Sequence, residues 1–389
     1  MDRIKIHNFG PVKDVDIALS KMMVFIGPQG SGKSTIAKLL TIFSDVNWWR
    51  HASENKNTLL EFQQLNIDKY FNEDTHISFD KDDVHITYAD GKFSINIDDI
   101  DPDKTCQFCK LLVSESVKEK LIELGVDINN LPQDKSLEKH RDYLMANLRF
   151  VCYIPAERNL TGAVSSSLAN IVLSKIPLPN TLMEYMSLFE RAKNHYSSYD
   201  ASFLGIQYDK NNGTDCISVI ENANKHIPLE ACSSGIQSAL PMLMVLDYAR
   251  EDNGFDTYIV EEPEQNLFPT NQRELLNRLI ALTKKEECKY LVINTHSPYV
   301  LSALNVSMLA ERVSKTEKFK DEVDAIVAPE FRIDANNVSV YALGDTPCCK
   351  SIIDNKTGLI SVNYLDVVSD SISSDFNKLY QIYLKTLQK

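Results

Sequence analysis

Read as a string of apolar and polar positions, the chain changes period several times. Residues 3–9 alternate, Gly10-Pro11 turns, and residues 12–19 alternate again, which predicts a β-hairpin. Residues 22–26 (Met-Met-Val-Phe-Ile) are apolar throughout, as suits a strand buried in a parallel sheet. From Thr35 onward Ile36, Leu39, Leu40, Ile42 and Phe43 fall at helical spacing. Residues 47–65 are mixed, with Trp48 and Trp49 read as core. Residues 76–100 predict two or three antiparallel strands with a hairpin turn at 89–92. Helical patterns cover about 103–124 and 135–148, too short and interrupted for a long coiled coil.

The second half repeats the scheme of buried strand and helix. Residues 150–154 are apolar and stop at Pro155-Ala156-Glu157-Arg158, where two readings stand side by side, a ligand-facing charged pair or a surface ion pair. Residues 161–200 look helical, and 203–221 read as a hairpin around 211–213. A strongly apolar helix spans 239–249, and 258–260 and 290–293 are buried strands. Residues 338–343 and 351–360 look like strands around turns. Leu365, Val368, Ile372, Phe376, Leu379 and Tyr383 mark an amphipathic C-terminal helix, docked on the body or offered to a partner. The expectation is an α/β protein with an antiparallel β subdomain and a helical insertion.

The first strand and helix bracket Gly27-Pro28-Gln29-Gly30-Ser31-Gly32-Lys33-Ser34-Thr35, a G-x-x-x-x-G-K-[ST] match in the context that makes it a phosphate-binding loop. Gly27, Gly30 and Gly32 let backbone N–H groups turn inward around phosphate oxygens, and the following helix adds its positive end. Lys33 is expected to reach the β- and γ-phosphates, and the Ser34 hydroxyl to ligate Mg²⁺. Three further strand or helix ends carry candidate chemistry. Ser233-Ser234-Gly235 opens the apolar helix and exposes hydroxyls and backbone donors suited to an anion. Glu261 and Glu262 end a buried strand, where one carboxylate can hold Mg²⁺ and the other orient or deprotonate a water. His296 ends the next strand, within reach of a γ-phosphate.

Composition narrows the setting. The 389 residues are 43% hydrophobic, enough for one large domain or two modest ones. A net charge of −13 argues against broad nucleic-acid binding, though a local basic patch is compatible with it. No apolar run approaches the ~20 residues of a membrane span, and the expectation is a soluble cytoplasmic protein without membrane contact. The eight cysteines are scattered, as reduced thiols would be; Cys106 and Cys109 form a C-x-x-C pair that lacks a correctly spaced second pair for zinc.

Taken in order, the pieces resemble the ABC-type P-loop ATPase head shared by SMC-like proteins and OLD-family ATPases. Ile4-Lys5-Ile6-His7-Asn8-Phe9-Gly10 followed by the glycine loop looks like that family's hairpin and Walker A. Ser233 to Gln237 looks like its signature, the run from Glu261 to Pro269 like its Walker B and D-loop, and Asn294 to Pro298 like its switch-histidine loop. The resemblance implies an ATPase using ATP and Mg²⁺. By it, Glu261 is the Mg²⁺-side carboxylate, Glu262 the catalytic one, and His296 the γ-phosphate sensor, acting with Lys33. Ser233, Ser234, Gly235 and Gln237 would face the nucleotide of another subunit. Three spellings depart from the pattern: Gln29 in place of Asn, Glu261 in place of Asp, and a signature without its second glycine. No phosphate-binding or catalytic group is lost, and slow hydrolysis is compatible with them. The Q-loop glutamine is not evident at Glu157-Arg158.

By the same resemblance, residues 1–305 form the head, with a helical insertion about 103–200. Residues 306–389 form an α/β extension that completes the head or binds a partner. About 200 residues separate Ser34 from Ser233, far fewer than a long SMC coiled coil needs, and no D-x-D pair of a Toprim nuclease follows His296. The expectation is a standalone ATPase that forms a homodimer or larger assembly around ATP. It would regulate a separate nuclease or toxin, as in two-gene bacterial anti-phage systems of PARIS or Septu type. The competing expectation is a DNA-repair or recombination accessory ATPase, with a transporter subunit third.

Overall fold

The computed structural model describes residues 2–45, 48–49, 58–81, 84–97, 151–174, 176–211, 214–220, 222–251, 255–285, 288–344, 348–361, 371 and 373–382. The helical patterns expected at 103–124 and 135–148, with Cys106 and Cys109, lie outside the described residues.

Three sheets form. β1 (Arg3–Phe9), β2 (Val12–Ala18), β4 (His76–Lys81), β5 (Val84–Ala89) and β6 (Lys92–Ile97) make an antiparallel sheet in the order β2-β1-β4-β5-β6. The central sheet runs β15-β14-β3-β13-β12-β7, from β3 (Met22–Ile26), β7 (Val151–Ile154), β12 (Thr257–Glu261), β13 (Tyr290–Thr295), β14 (Val338–Leu343) and β15 (Cys349–Ser351). All its pairings are parallel except the β14–β15 edge. β8 (Ser198–Ala201), β9 (Ile206–Asn211), β10 (Thr214–Val219) and β11 (Asn222–Ile227) make a smaller antiparallel sheet.

β3, β12 and β13 are buried at every position, as parallel strands covered on both faces must be. Their period-2 alternation divides the molecule. Met22, Val24, Val260, Leu291 and Ile293 enter one core, with the helices Asn180–His195, Ser234–Glu251, Pro269–Leu282 and Pro298–Ser314. Met23, Phe25, Ile259 and Val292 enter the other, with helix α1 (Lys33–Phe43) and the apolar face of the five-stranded sheet. An aromatic cluster fills that second core: Phe43 lies against Trp48, Phe62, Phe79 and Phe93 with ring centroids 5.3–6.5 Å apart.

Several expectations change. The helical reading of 161–200 ends at His195, because Tyr199 and Ala201 alternate inward as β8. The hairpin around 211–213 continues into a further strand, β11. The strand expected over 351–360 reduces to β15 and one bridge between Ile353 and Ile360. Between them the Asp354 side chain accepts the N–H groups of Lys356 and Thr357, a local turn that takes the donors a ladder would use. Residues 373–382 are helical, but Phe376, Leu379 and Ile382 are 58–66% exposed, so the described part of this helix is not docked. Leu365, Val368, Ile372 and Tyr383 lie outside the described residues.

A buried ion pair joins the two sheet systems. Lys81 on β4 and Asp256, just before β12, are 3.8 Å apart and almost fully buried, with the ammonium 5.1 Å from the Tyr290 ring centroid. Removing one partner leaves a buried charge uncompensated. Lys81→Met is therefore expected to lower unfolding free energy by about 3–5 kcal/mol in urea titration. Lys81→Met with Asp256→Asn is expected to recover about half of that loss. An unchanged midpoint for the single variant would show that the pair contributes nothing.

Candidate functional site

Parallel strands end on one edge, so the segments after β3, β13, β12 and β7 emerge side by side. Pairing of Thr295 with Ile26, and of Glu261 with Asn294, sets the register of that edge. The four segments are the glycine loop, Thr295-His296-Ser297, Glu261-Glu262-Pro263 and Pro155 to Arg158.

The glycine loop is built by close approach. A Cβ on Gly27 would lie 2.1 Å from the Leu343 carbonyl oxygen, and Gly32 caps α1 with φ +98°. Lys33, nearly buried, donates to the carbonyls of Gly27 (2.9 Å) and Pro28 (3.0 Å). Burial pushes its ammonium pKa down, against the attraction of Glu262, Glu261 and Glu264. Ser34 is exposed, Thr35 is buried, and the Ser31 hydroxyl is buried without a hydrogen-bond partner. Pro28, Gln29 and Gly30 form one wall of a cleft of about 240 Å³ whose other side includes Val12, Lys13 and Gly344.

Across the edge, Glu261 is 6% exposed and its Oε1 accepts from Asn294 Nδ2 at 3.2 Å. Burial first, and then Glu261, raise the neighbouring Tyr153 phenol well above its ordinary range. Glu262 sits in the left-handed region (φ +44°), with its N–H donating to Asn294 O at 2.7 Å. Its Oε1 is 3.5 Å from His296 Nε2. The His296 hydrogen bond, opposed by burial and helped by the charges of His296, Arg158 and Lys33, holds the Glu262 carboxyl below its usual range. Glu264 Oε1 accepts the Thr295 hydroxyl and the His296 N–H, both at 2.8 Å, tying the two strand ends together. Ser297 Oγ donates to Gln272 (2.6 Å) and caps the helix begun by Pro298.

The structure thus gathers Lys33, Glu261, Glu262 and His296 beside the glycine loop. Ser233 and Ser234 are exposed, and among the described residues no hydrogen bond holds either hydroxyl. Gly235 is buried, with a Cβ there falling 2.6 Å from Asn266 O. The Gln237 amide donates to Glu230 O at 2.8 Å and braces the preceding turn.

Three contributors escaped sequence reasoning. Asn294 and Glu264 lie inside quoted motifs, yet nothing in their spelling announces the contacts they make. Arg158 fits neither reading offered for it: Glu157 is exposed, but Arg158 is fully buried. Its Nη1 donates to Glu261 O (2.6 Å) and Pro155 O (3.2 Å), and its Nη2 to Glu262 O (2.5 Å) and Pro263 O (3.4 Å).

The donor set fits a magnesium–nucleoside triphosphate. A cradle that a Cβ would fill, a lysine at its mouth, an exposed hydroxyl at Ser34 and a buried carboxylate at Glu261 are the groups such a ligand needs. Among the described residues no helix is long and apolar enough to cross a membrane.

Comparison with known proteins agrees with that chemistry. A model of the AAA ATPase domain matches residues 1–149 and 178–301. A nuclease of Thermus scotoductus, the OLD nuclease, is 21% identical over 329 residues, covering 77% of this chain; the chain spans only 59% of that relative's length. The SMC head domain from Thermotoga maritima is 14% identical, over 77% of this chain and 90% of that one, with a TM-score of 0.37. An SMC head bound to the C-terminal winged-helix domain of ScpA is 12% identical, over 92% and 99%, with a TM-score of 0.39. The family match spans well over half of the chain, which belongs to the AAA ATPase domain family.

Proposed function

We propose that this chain hydrolyses ATP in a site shared between two copies, and that the resulting dimer controls a separate effector protein in bacterial anti-phage defence. The observation that carries the shared site is the exposure of the signature serines. The phosphate loop, Glu261, Glu262 and His296 meet at one edge, while Ser233 and Ser234 are exposed and their hydroxyls make no hydrogen bond among the described residues. A helix start with exposed donors suits the phosphates of a second copy, and a two-fold dimer is the smallest closed arrangement.

The roles follow from the geometry. Lys33 exchanges its carbonyl contacts for phosphate oxygens, and the loop N–H groups orient the chain of phosphates. Ser34 and Glu261 would hold a magnesium ion, which would supply charge neutralisation to the bound phosphates. Glu262, kept ionised by its surroundings, accepts the proton of the attacking water, and His296 holds the carboxylate and reads the γ-phosphate. The effector and its defence setting rest on the OLD-type resemblance, and residues 103–200 and the C-terminal segment are the proposed docking regions.

Lys33→Ala is expected to weaken ATP binding about 100-fold or more while circular dichroism stays native, since charge-assisted contacts contribute about 1.5–3 kcal/mol each. Tight binding by folded Lys33→Ala sinks the nucleotide assignment. Glu262→Gln should bind ATP normally and lose about 10²–10⁴-fold in kcat, accumulating as a closed dimer on gel filtration.

Ser234→Arg should bind ATP and fail to hydrolyse it. An equal mixture with Lys33→Ala should regain about a quarter of wild-type activity, because random pairing makes about half mixed dimers with one working site each. A dead mixture in which mixed dimers demonstrably form, or a strict monomer with full activity, refutes the shared site. ATP turnover stimulated by DNA rather than by a protein partner would favour the repair-accessory reading.

A further inference from the structure

Glu262 occupies a conformation that an L-residue with a long side chain seldom adopts, at the point where its carboxylate must face His296 and the phosphate loop. Something has to hold it there. Its N–H is fixed by Asn294 O, the ladder partner of the neighbouring strand. Its carbonyl, and those on either side, are fixed by Arg158.

Arg158 is unusual in its own right. The guanidinium is completely buried, and its four hydrogen bonds all end on main-chain carbonyls, at Pro155, Glu261, Glu262 and Pro263. A buried cation that serves only to fill space would be replaceable by an apolar side chain. Three consecutive carbonyls converging on one planar fork are a different matter. They define the path of the turn, and a guanidinium can bridge them where an ammonium cannot. Arg158 follows β7 directly, so the strand next to β12 delivers the clamp for the residue after β12.

We infer that Arg158 is a positioning residue: it holds the 261–263 turn in the left-handed conformation that aims the Glu262 carboxylate at the attacking water. The inference rests on the reading of Glu262 as the group that activates that water. Arg158, fully buried with its hydrogen bonds on main-chain carbonyls, acts only through the turn. The segment that carries it is braced in turn, since a Cβ on Gly162, four residues on, would lie 2.2 Å from the Gln237 carbonyl of the helix begun by Ser234.

The test uses the full chain and four variants: Arg158→Met, Arg158→Lys, Glu262→Gln and Arg158→Met with Glu262→Gln. ATP affinity is read by fluorescence titration, kcat by single turnover, and integrity by melting temperature. Arg158→Met is expected to keep ATP affinity within about threefold and lose about 100-fold in kcat, the scale of a displaced catalytic group. Arg158→Lys should lose about tenfold in kcat with unchanged affinity, because the ammonium cannot bridge the carbonyls. In the Glu262→Gln background, Arg158→Met should cost less than about twofold more, since the group it positions is already inert. Wild-type kcat in either Arg158 variant overturns the inference, as does a full multiplicative loss in the double variant. If Arg158→Met does not fold, Arg158→Lys keeps the buried charge and decides the matter alone. Full hydrolysis by Glu262→Gln, in contrast, removes the reading of Glu262 itself.

Discussion

The parallel register of β3, β13, β12 and β7 is the constraint from which the rest follows. Parallel strands of matched length finish on the same edge, and here that edge is where apolar sequence gives way to charge. One residue of slip would exchange the two cores, because Met22 and Met23, or Ile259 and Val260, belong to opposite faces. Register is therefore enforced by the burial of two separate hydrophobic cores. The price of that enforcement is that the turns after the strands have little freedom, and side chains there must be held from outside. The site is precise because the cores are.

That tightness is visible at Glu262. A non-glycine residue in the left-handed region costs about 1–3 kcal/mol. Hydrogen bonds to charged groups contribute about 1.5–3 kcal/mol each, so the Arg158 fork and the Asn294 carbonyl outweigh the strain comfortably. Burying the guanidinium is the larger cost: it pushes the Arg158 pKa down, opposed only in part by Tyr185 and the nearby carboxylates of Glu264, Glu262 and Glu261. A residue deep in the fold, distant in sequence, thus sets the geometry of a residue at the surface of the site.

Much of this was legible in the sequence, for a physical reason. The glycine loop, the paired glutamates and the histidine sit at ends of strands whose unbroken apolar runs leave little doubt about burial, as in 22–26 and 290–293. The two antiparallel sheets were largely visible: the pattern revealed β1 and β2, the strands of 76–97 and the β9–β10 hairpin, while β8 and β11 are too short or too polar for a period to emerge. β14 was readable as a strand, but its place beside β3 depends on a pairing across more than 300 residues, which periodicity does not encode. Arg158 was misread because a charged residue after a strand ordinarily faces solvent. Only the packed structure reveals that four carbonyls already point at it.

The charges at the phosphate-facing edge raise a last question, since Glu261, Glu262 and Glu264 crowd a place meant for a polyanion. Their contacts answer it one by one. Glu264 is occupied by the Thr295 hydroxyl and the His296 N–H, and Glu262 leans on His296, 3.5 Å away. Glu261 is held by Asn294, in a position that suits a divalent cation rather than a phosphate. Arg158 is fully buried and its Nη1 and Nη2 are committed to carbonyls, so it is not offered to the polyanion. Lys33 is different: its two partners are loop carbonyls at 2.9 and 3.0 Å, contacts that a phosphate oxygen can replace at little cost. In the proposed roles, attraction for phosphate would come from the loop N–H groups, the start of α1 and Lys33, with the carboxylates kept to the metal and water side. Binding and hydrolysis would then be drawn from different strand ends of the same edge, and for that reason hydrolysis can be lost by substitution while binding survives.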